Sequence, residues 1–348
     1  MKYSFRNDYS EGACPEILEA LIQTNLVQTS GYGTDEYCER AREAIRKEIG
    51  MPDAAVHMIP GGTQTNLILI SSLLRPHEAV IGTTVSHINV HETGSVEATG
   101  HKVLTVETPD GILTPERIQP VLDAHGSNPH MVKPRMVYIS NTTEIGTLYK
   151  KAELAALSKF CKEHNLILFL DGARLGCALT AKENDLTMAD IAALTDCFYI
   201  GGTKNGALFG EALVLRPEYA EDFTYFVKQK GALFAKGRLL GIQFLTLFEN
   251  GLFYRLAAHA NEQAMRLKQA FVDCGVEFLT DSCTNQQFPI LAESIAAKLE
   301  KEYAFEFQED CGERGVCVRF VTSWATPAEA VEEFAKDLKR LIQEYRGA

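Results

Sequence analysis

The sequence predicts an α/β fold in which helices cover both faces of a mostly parallel sheet, followed by a smaller α+β unit. Apolar strand-like runs alternate with helix-length amphipathic segments up to about residue 251, the first sign of repeated β-α-β units. Two of the runs, 136–139 and 166–170, are apolar at every position. Strands that read this way are buried on both faces, as in parallel sheets, whereas strands with one wet face alternate. Beyond Leu252 the texture changes to a long helix and several short strands.

Taken in order, residues 15–22 open with Pro15, which suits the first position of a helix, and 37–49 continue as a helix with charges on one face. Residues 55–59 read as a short strand and the Leu- and Ile-rich stretch 65–74 as a helix. Strands follow at 80–81 and 103–106, with a helix expected over 91–99 between them. After the strand at 136–139 come a helix over 151–164, the strand 166–170 and a further strand at 197–200. A long helix over 253–274 leads to β pieces around 276–279 and 288–290, a helix over 293–302, a strand at 316–321 and a closing helix from Pro327. No low-complexity linker interrupts the chain. The expected division is a large domain over 1–251, including the N-terminal arm, and a small α+β domain over 252–348.

Charge narrows the function classes. The 348 residues carry 34 Lys and Arg against 46 Asp and Glu, a net charge of −12, and no local basic patch that would hold a nucleic acid or an anionic membrane. The nine cysteines are odd in number and scattered without a C-x-x-C pair, so neither a metal site nor a disulfide framework is legible. They read as buried thiols of a reducing compartment. Residues 1–8 carry charges where a signal peptide needs an apolar core. The longest apolar stretch, 67–74, falls far short of the roughly 20 residues that span a bilayer. A cytoplasmic protein acting on small molecules is expected.

Three features carry chemistry. Pro60-Gly61-Gly62-Thr63-Gln64-Thr65-Asn66 joins a strand to a helix, leaving backbone N–H groups at a helix N-terminus where a phosphate binds, although the same turn also serves as a plain cap. Asp171-Gly172-Ala173-Arg174 places an acid at the carboxyl end of a buried strand, where open α/β sheets put their ligands. A carboxylate there needs a cationic partner, and Arg174 is a structural alternative for that partner. Thr203-Lys204-Asn205-Gly206 presents a lysine in an uncharged loop of small residues after a strand, either as an amine nucleophile or as a solvated loop lysine. An anion cradle, an acid at a strand end and a lysine beyond it are together the parts that hold pyridoxal 5'-phosphate.

The layout resembles the fold-type-I pyridoxal-phosphate enzymes, and in detail the threonine aldolase family of the β-eliminating lyases. Arg6-Asn7-Asp8, Tyr32-Gly33-Thr34-Asp35, Gly62-Thr63, Ser86-His87, Asp171-Gly172-Ala173-Arg174, Thr203-Lys204 and Val318-Arg319-Phe320-Val321-Thr322 match its blocks in order along nearly the whole chain. Ser86-His87-Ile88-Asn89, Thr143-Glu144-Ile145-Gly146 and Thr203-Lys204-Asn205-Gly206 look most like the low-specificity branch that includes phenylserine aldolase.

The resemblance implies retro-aldol cleavage of an L-β-hydroxy-α-amino acid into glycine and an aldehyde. It implies that Lys204 binds the cofactor covalently, that Asp171 pairs with its ring nitrogen, that His87 stacks on the ring, and that Gly61, Gly62 and Thr63 hold its phosphate. Arg174 and Arg319 would clamp the substrate carboxylate with Asn7 beside them, where the family usually has a serine. His87 or His130 would be the base, directly or through a water. The basic stretch 228–238 would reach a neighbouring subunit, with Arg238, Lys236 and Tyr32 at a shared site in a homodimer or homotetramer. Two departures alter the pocket wall: His91 replaces a usual aromatic, and Ser140-Asn141-Thr142-Thr143-Glu144 replaces the common Glu-Asn-Thr-His-Asn block. Another pyridoxal-phosphate lyase, a transaminase and a catalytically silent binder of the cofactor are the alternatives.

Overall fold

The structure is a computed structural model that describes residues 1–126 and 128–347. Its strands are β1 (Tyr3–Ser4), β2 (Ala55–Ile59), β3 (Glu78–Thr83), β4 (Val103–Val106), β5 (Lys133–Ser140), β6 (Ile167–Asp171), β7 (Cys197–Gly201) and β8 (Glu211–Leu215), then β9 (Glu277–Phe278), β10 (Gln286–Gln287), β11 (Pro289–Leu291), β12 (Tyr303–Ala304), β13 (Glu306–Asp310) and β14 (Val316–Val321).

Seven of them form the large sheet in the order β2-β8-β7-β6-β5-β3-β4. Every pairing from β7 through β4 is parallel, and β8 alone runs against its neighbours β2 and β7. Side-chain alternation along the central strands explains their uniformly apolar sequences. Val137, Ile139, Leu168, Leu170, Phe198 and Ile200 enter one buried layer. Met136, Tyr138, Ile167, Phe169, Cys197 and Tyr199 enter the other. A strand buried on both faces has no position left for a polar side chain until its end, and β6 ends on Asp171.

Because β8 runs backwards, its first residue lies at the same sheet edge as the last residues of the parallel strands. Glu211 pairs with Ile59 at the end of β2 and with Gly201 at the end of β7. Ser140 at the end of β5 pairs with Asp171. One edge of the sheet therefore collects the polar residues Ser140, Asp171 and Glu211 that three strands could not bury in their middles.

The C-terminal residues build a second, antiparallel sheet around β14, which pairs with β10, β11 and β13. An aromatic core of Phe271, Phe305, Phe320, Phe334 and Tyr303 packs against it. The N-terminal arm belongs here. β1 pairs with β12, and Phe5 is fully buried in the same aromatic core, so residues 3–5 depart from the large domain with which sequence order groups them.

Two other expectations change. The helix expected over 91–99 is broken: a short helix, His87–Val90, is followed by turns and one 3₁₀ turn, Glu97–Thr99. Thr93 and Gly94 both have positive φ, which no helix accepts. The stretch 228–238 is not one basic loop, since it begins inside the helix Phe223–Gln229 and ends at the first residue of the helix Arg238–Phe248. No helix among the described residues is long and apolar enough to cross a membrane.

One close approach sets the position of the polar edge. A Cβ on Gly172 would lie 1.8 Å from the carbonyl oxygen of Tyr199, so only glycine lets the chain leaving β6 cross the end of β7. The contact is with backbone and has no flexible end to move aside. Gly172→Ala should therefore lower stability by at least about 2 kcal/mol, read as a drop in the thermal unfolding midpoint, and a substitution without effect would show that the two strand ends are not packed this tightly.

Candidate active site

At the polar edge the structure opens a cavity of about 560 Å³ between the two sheets. Gly61, Gly62, Thr63, His87, Asp171, Arg174, Lys204 and Arg319 all line it, so eight of the expected site residues meet in one place.

Asp171 is buried and saturated by donors. Oδ1 accepts from the Tyr199 hydroxyl at 2.5 Å and from the Ala173 N–H at 2.9 Å. Oδ2 accepts from the Tyr138 hydroxyl at 2.5 Å and from Asn66 Nδ2 at 3.4 Å. Burial, and then Asp171 itself, pushes both tyrosines well above their usual range, so they stay donors. None of these donors is charged. Arg174, the structural alternative as partner, turns instead to Asp8. A buried carboxylate lacking a cation suits a protonated ring nitrogen presented from the cavity.

Lys204 follows β7 and opens only onto the cavity. Burial, then the nearby Arg174, lowers its pKa, against the opposing pull of Asp8, Asp171 and Glu211. An amine so placed is neutral more often than a surface lysine and can attack a carbonyl. Glu211, which sequence reading passed over, lines the same cavity and accepts from Thr203 Oγ1 at 2.9 Å and from the Gly202 N–H at 3.1 Å. Burial holds its carboxyl at about 8. An acid opening an otherwise apolar run, Glu211 followed by Ala212 and Leu213, was its only signal in the sequence.

The two arginines are not equivalent. Arg174 gives Nε and one terminal nitrogen to Asp8 at 2.7 and 3.0 Å, a bidentate pair that also takes Asn285 Nδ2 at 2.9 Å. Arg319, by contrast, has its buried Nε without a partner. Burial and then Arg174 lower its pKa, the mark of a guanidinium waiting for an anion. Among the described residues, Arg319 thus keeps a nitrogen open while Arg174 is braced by Asp8. Asn7 does not line the cavity: its Oδ1 closes a local turn with the Tyr9 N–H and the Ser10 hydroxyl, and Tyr9 reaches the cavity in its place.

His87 Nδ1 lies 2.7 Å from Oε1 of Glu92, a buried acid that also accepts from Asn66 and Ser95. Its backbone N–H donates to Glu144. His91, Ser140, Thr142 and Glu144 complete this wall. His130 is absent from it. That residue sits exposed after the helix Pro115–His125, in a turn fixed by Asn128, and cannot serve as base in its own chain's cavity.

The anion cradle is the first turn of the helix Gly62–Leu73, capped by Gly61 and free of acidic side chains. A Cβ on Gly62 would come within 3.1 Å of the Tyr199 hydroxyl, so glycine keeps the cradle open beside the tyrosine that holds Asp171. Cation-seeking acid, neutral amine and bare helix N-terminus fit pyridoxal phosphate. Arg238 and Tyr32 lie outside this chain's cavity: Arg238 donates to the carbonyls of Thr24 and Val27 and packs over Tyr37, and the Lys228 ammonium sits 4.6 Å above the Tyr32 ring.

Comparison with known proteins agrees with the geometry. The β-eliminating lyase family model matches residues 4–294. A low specificity L-threonine aldolase of Pseudomonas sp. (strain NCIMB 10558) is 35% identical over 97% of both chains, and one of Pseudomonas aeruginosa is 33% identical over 97% of both. The solved threonine aldolase of Leishmania major superposes with a TM-score of 0.96 at 49% identity, covering 98% of this chain and 99% of that one. Aspartate aminotransferase of Thermus thermophilus shares the fold alone, at 16% identity and a TM-score of 0.72 over 98% of this chain and 91% of that one.

The Asp8–Arg174 pair has its own consequence. Burial raises the Asp8 pKa, but Arg174 and Lys204 outweigh it and leave the carboxyl below its usual value. Its stabilising contribution is thus complete above the ordinary carboxylate pKa and is lost as pH falls through the lower folded value. Asp8→Ala should cost about 3–5 kcal/mol in denaturant unfolding at neutral pH, with the gap to wild type closing in acid. An unchanged gap across that range would show that the pair carries no such load.

Proposed function

The chain belongs to the β-eliminating lyase family, and on that footing we propose that it is a carbon–carbon lyase that uses pyridoxal 5'-phosphate. Its substrates are L-β-hydroxy-α-amino acids of the threonine, allo-threonine or phenylserine type, and its products are glycine and an aldehyde. The observation that carries this reading is the buried Asp171 carboxylate without a cation, in one cavity with Lys204 and the unpartnered Arg319.

Bound there, pyridoxal phosphate supplies an electron sink for the substrate's α-carbon. The chain's residues do the rest. Asp171, held by two tyrosine hydroxyls, accepts the ring N–H and keeps it protonated. Lys204, whose amine opens onto the cavity and whose affinity for a proton burial lowers, would hold the cofactor's aldehyde and could carry a proton to or from the substrate's Cα. The first turn of the helix Gly62–Leu73 receives the phosphate through its free N–H groups. Arg319 takes the substrate carboxylate on a guanidinium whose Nε has no partner among the described residues, and Asp8 braces Arg174 in the same cavity.

The reading extends to assembly as a homodimer or homotetramer with shared sites. Ile22 and Leu26 are 76% and 92% exposed on the surface next to Arg238, Val27 and Tyr32, and water-exposed apolar side chains of that size favour a partner. Sedimentation should give a multiple of the chain mass; a monomer would remove the shared-site part of the reading.

Purified protein supplied with pyridoxal 5'-phosphate should release glycine and an aldehyde from L-threonine or a phenylserine isomer. Lys204→Ala should lose both the visible cofactor band and the pyridoxyl adduct that borohydride fixes on Lys204 in wild type. Formation of a keto acid without free aldehyde would overturn the aldolase reading, and a wild type without the adduct would overturn the cofactor. Arg319→Lys, which keeps the charge but loses the planar fork, should raise KM by about tenfold or more with a smaller change in kcat.

A further inference from the structure

Resting on the reading above, we propose that Glu144 takes the proton from the substrate's β-hydroxyl group. The loop after β5 carries it into the cavity together with Ser140 and Thr142. One carboxylate oxygen is anchored: Glu144 Oε1 accepts from the His87 backbone N–H at 2.9 Å and from the Ser140 hydroxyl at 2.7 Å. No protein donor among the described residues reaches Oε2, and no lysine or arginine pairs with the group. A half-buried carboxylate with one oxygen fixed and the other unmet lacks a hydrogen-bond donor that a substrate hydroxyl supplies.

The other candidate bases fit the task less well. His130 is outside the cavity. His91 lines it, but burial and then His87, Arg319 and Lys204 lower its affinity for a proton. His87 has Nδ1 committed to the buried Glu92, which leaves only Nε2. Burial raises the pKa of Glu144 against the opposing bonds from Ser140 and the His87 N–H, which makes it a stronger proton acceptor than a surface glutamate.

In the step, the β-hydroxyl proton passes to Oε2 of Glu144 and the C–O bond becomes C=O of the departing aldehyde. The Cα–Cβ bond breaks, its electron pair stays with the glycine fragment, that fragment takes one proton at Cα from the Lys204 ammonium, and Glu144 gives its proton to solvent while Lys204 regains one, so the protons balance. Amino acids without a β-hydroxyl leave Oε2 unmet, so the same residue selects for the hydroxyl. Ser140 donates to the other oxygen, Oε1, across the turn and holds the carboxylate in place.

The test separates cleavage from α-proton exchange of glycine in D₂O, which needs the cofactor, Lys204 and Arg319 but no β-hydroxyl. Glu144→Gln should lower kcat/KM for cleavage by about 10²–10⁴-fold while the cofactor band and glycine exchange are retained. Glu144→Asp should recover part of the loss. Wild-type kcat/KM should fall as pH drops through the raised carboxyl pKa, and that limb should shift in Glu144→Gln, with His87, Glu92, Tyr138, Tyr149 and Asp171 the other titrating groups around it. Parallel loss of cleavage and exchange would show a structural role and overturn the proposal. Cleavage at the wild-type rate in Glu144→Gln, with the acid limb in place, would overturn it in favour of His87. A wild type that exchanges glycine but cleaves no β-hydroxy amino acid would instead bring down the functional reading, and this inference with it.

Discussion

Asp171 accepts four hydrogen bonds at the end of a strand buried on both faces, and every donor is neutral. Removing a carboxylate from water at that depth is tolerable only if its remaining charge is met from the open side, because neutral donors stabilise the anion without cancelling it. Much of the large domain serves this one requirement. Tyr138 and Tyr199 come from the strands on either side of β6, both from the same face of the sheet as Phe169. Asn66 comes from the helix that opens with the anion cradle, so the cradle and the acid are tied to one another through a single side chain. Gly172 lets the chain turn away at once after the acid, beneath the Tyr199 carbonyl.

The second group of charges is organised across the two sheets. Asp8, from the N-terminal arm, accepts from Arg174 of the large domain and from Asn285 of the small one. Asn285 in turn donates to the carbonyl of Thr322, three residues beyond Arg319. The arm is held by β1 pairing with β12 and by Phe5 in the aromatic core, so the geometry of the carboxylate site depends on residues at the opposite end of the chain. The net charge of −12 sits largely elsewhere: inside the cavity, Arg174, Lys204 and Arg319 stand against four acids, Glu144, Asp171, Glu211 and Glu306.

What was legible in the sequence follows from how local each signal is. Strands 55–59, 103–106 and 316–321 coincide with β2, β4 and β14 because each is a short apolar run bounded by turn residues. Asp171, Lys204, Gly62 and His87 were legible because each stands in a motif whose spacing is set by one turn. The residues that were missed act across the sheet. Glu211 matters because β8 runs backwards, and no sequence pattern announces the direction of a strand. Asp8 pairs with a residue 166 positions away, and Glu92 was hidden inside a segment whose period suggests a continuous helix until Thr93 and Gly94 break it. His130 was placed by spacing alone, and spacing to Asn141 says nothing about which way the intervening turn faces.

The reversal of β8 also explains how one acid of the cavity wall, Glu211, comes from the start of a strand and not from its end. In an all-parallel sheet every strand brings its carboxyl end to the ligand edge, and helix N-termini and loop cations gather there. Here one strand brings its amino end, and its first residue, Glu211, is fixed by the Thr203 hydroxyl and the Gly202 N–H between the cradle after β2 and the lysine after β7. That position leaves Glu211 near the amine, where burial raises its carboxyl to about 8, while Asp8, Asp171 and Glu211 all pull the Lys204 pKa upward. An amine surrounded in this way meets two opposing pressures. Burial and Arg174 favour the neutral form that attacks a carbonyl, and the acids favour the charged form once a proton has been taken up.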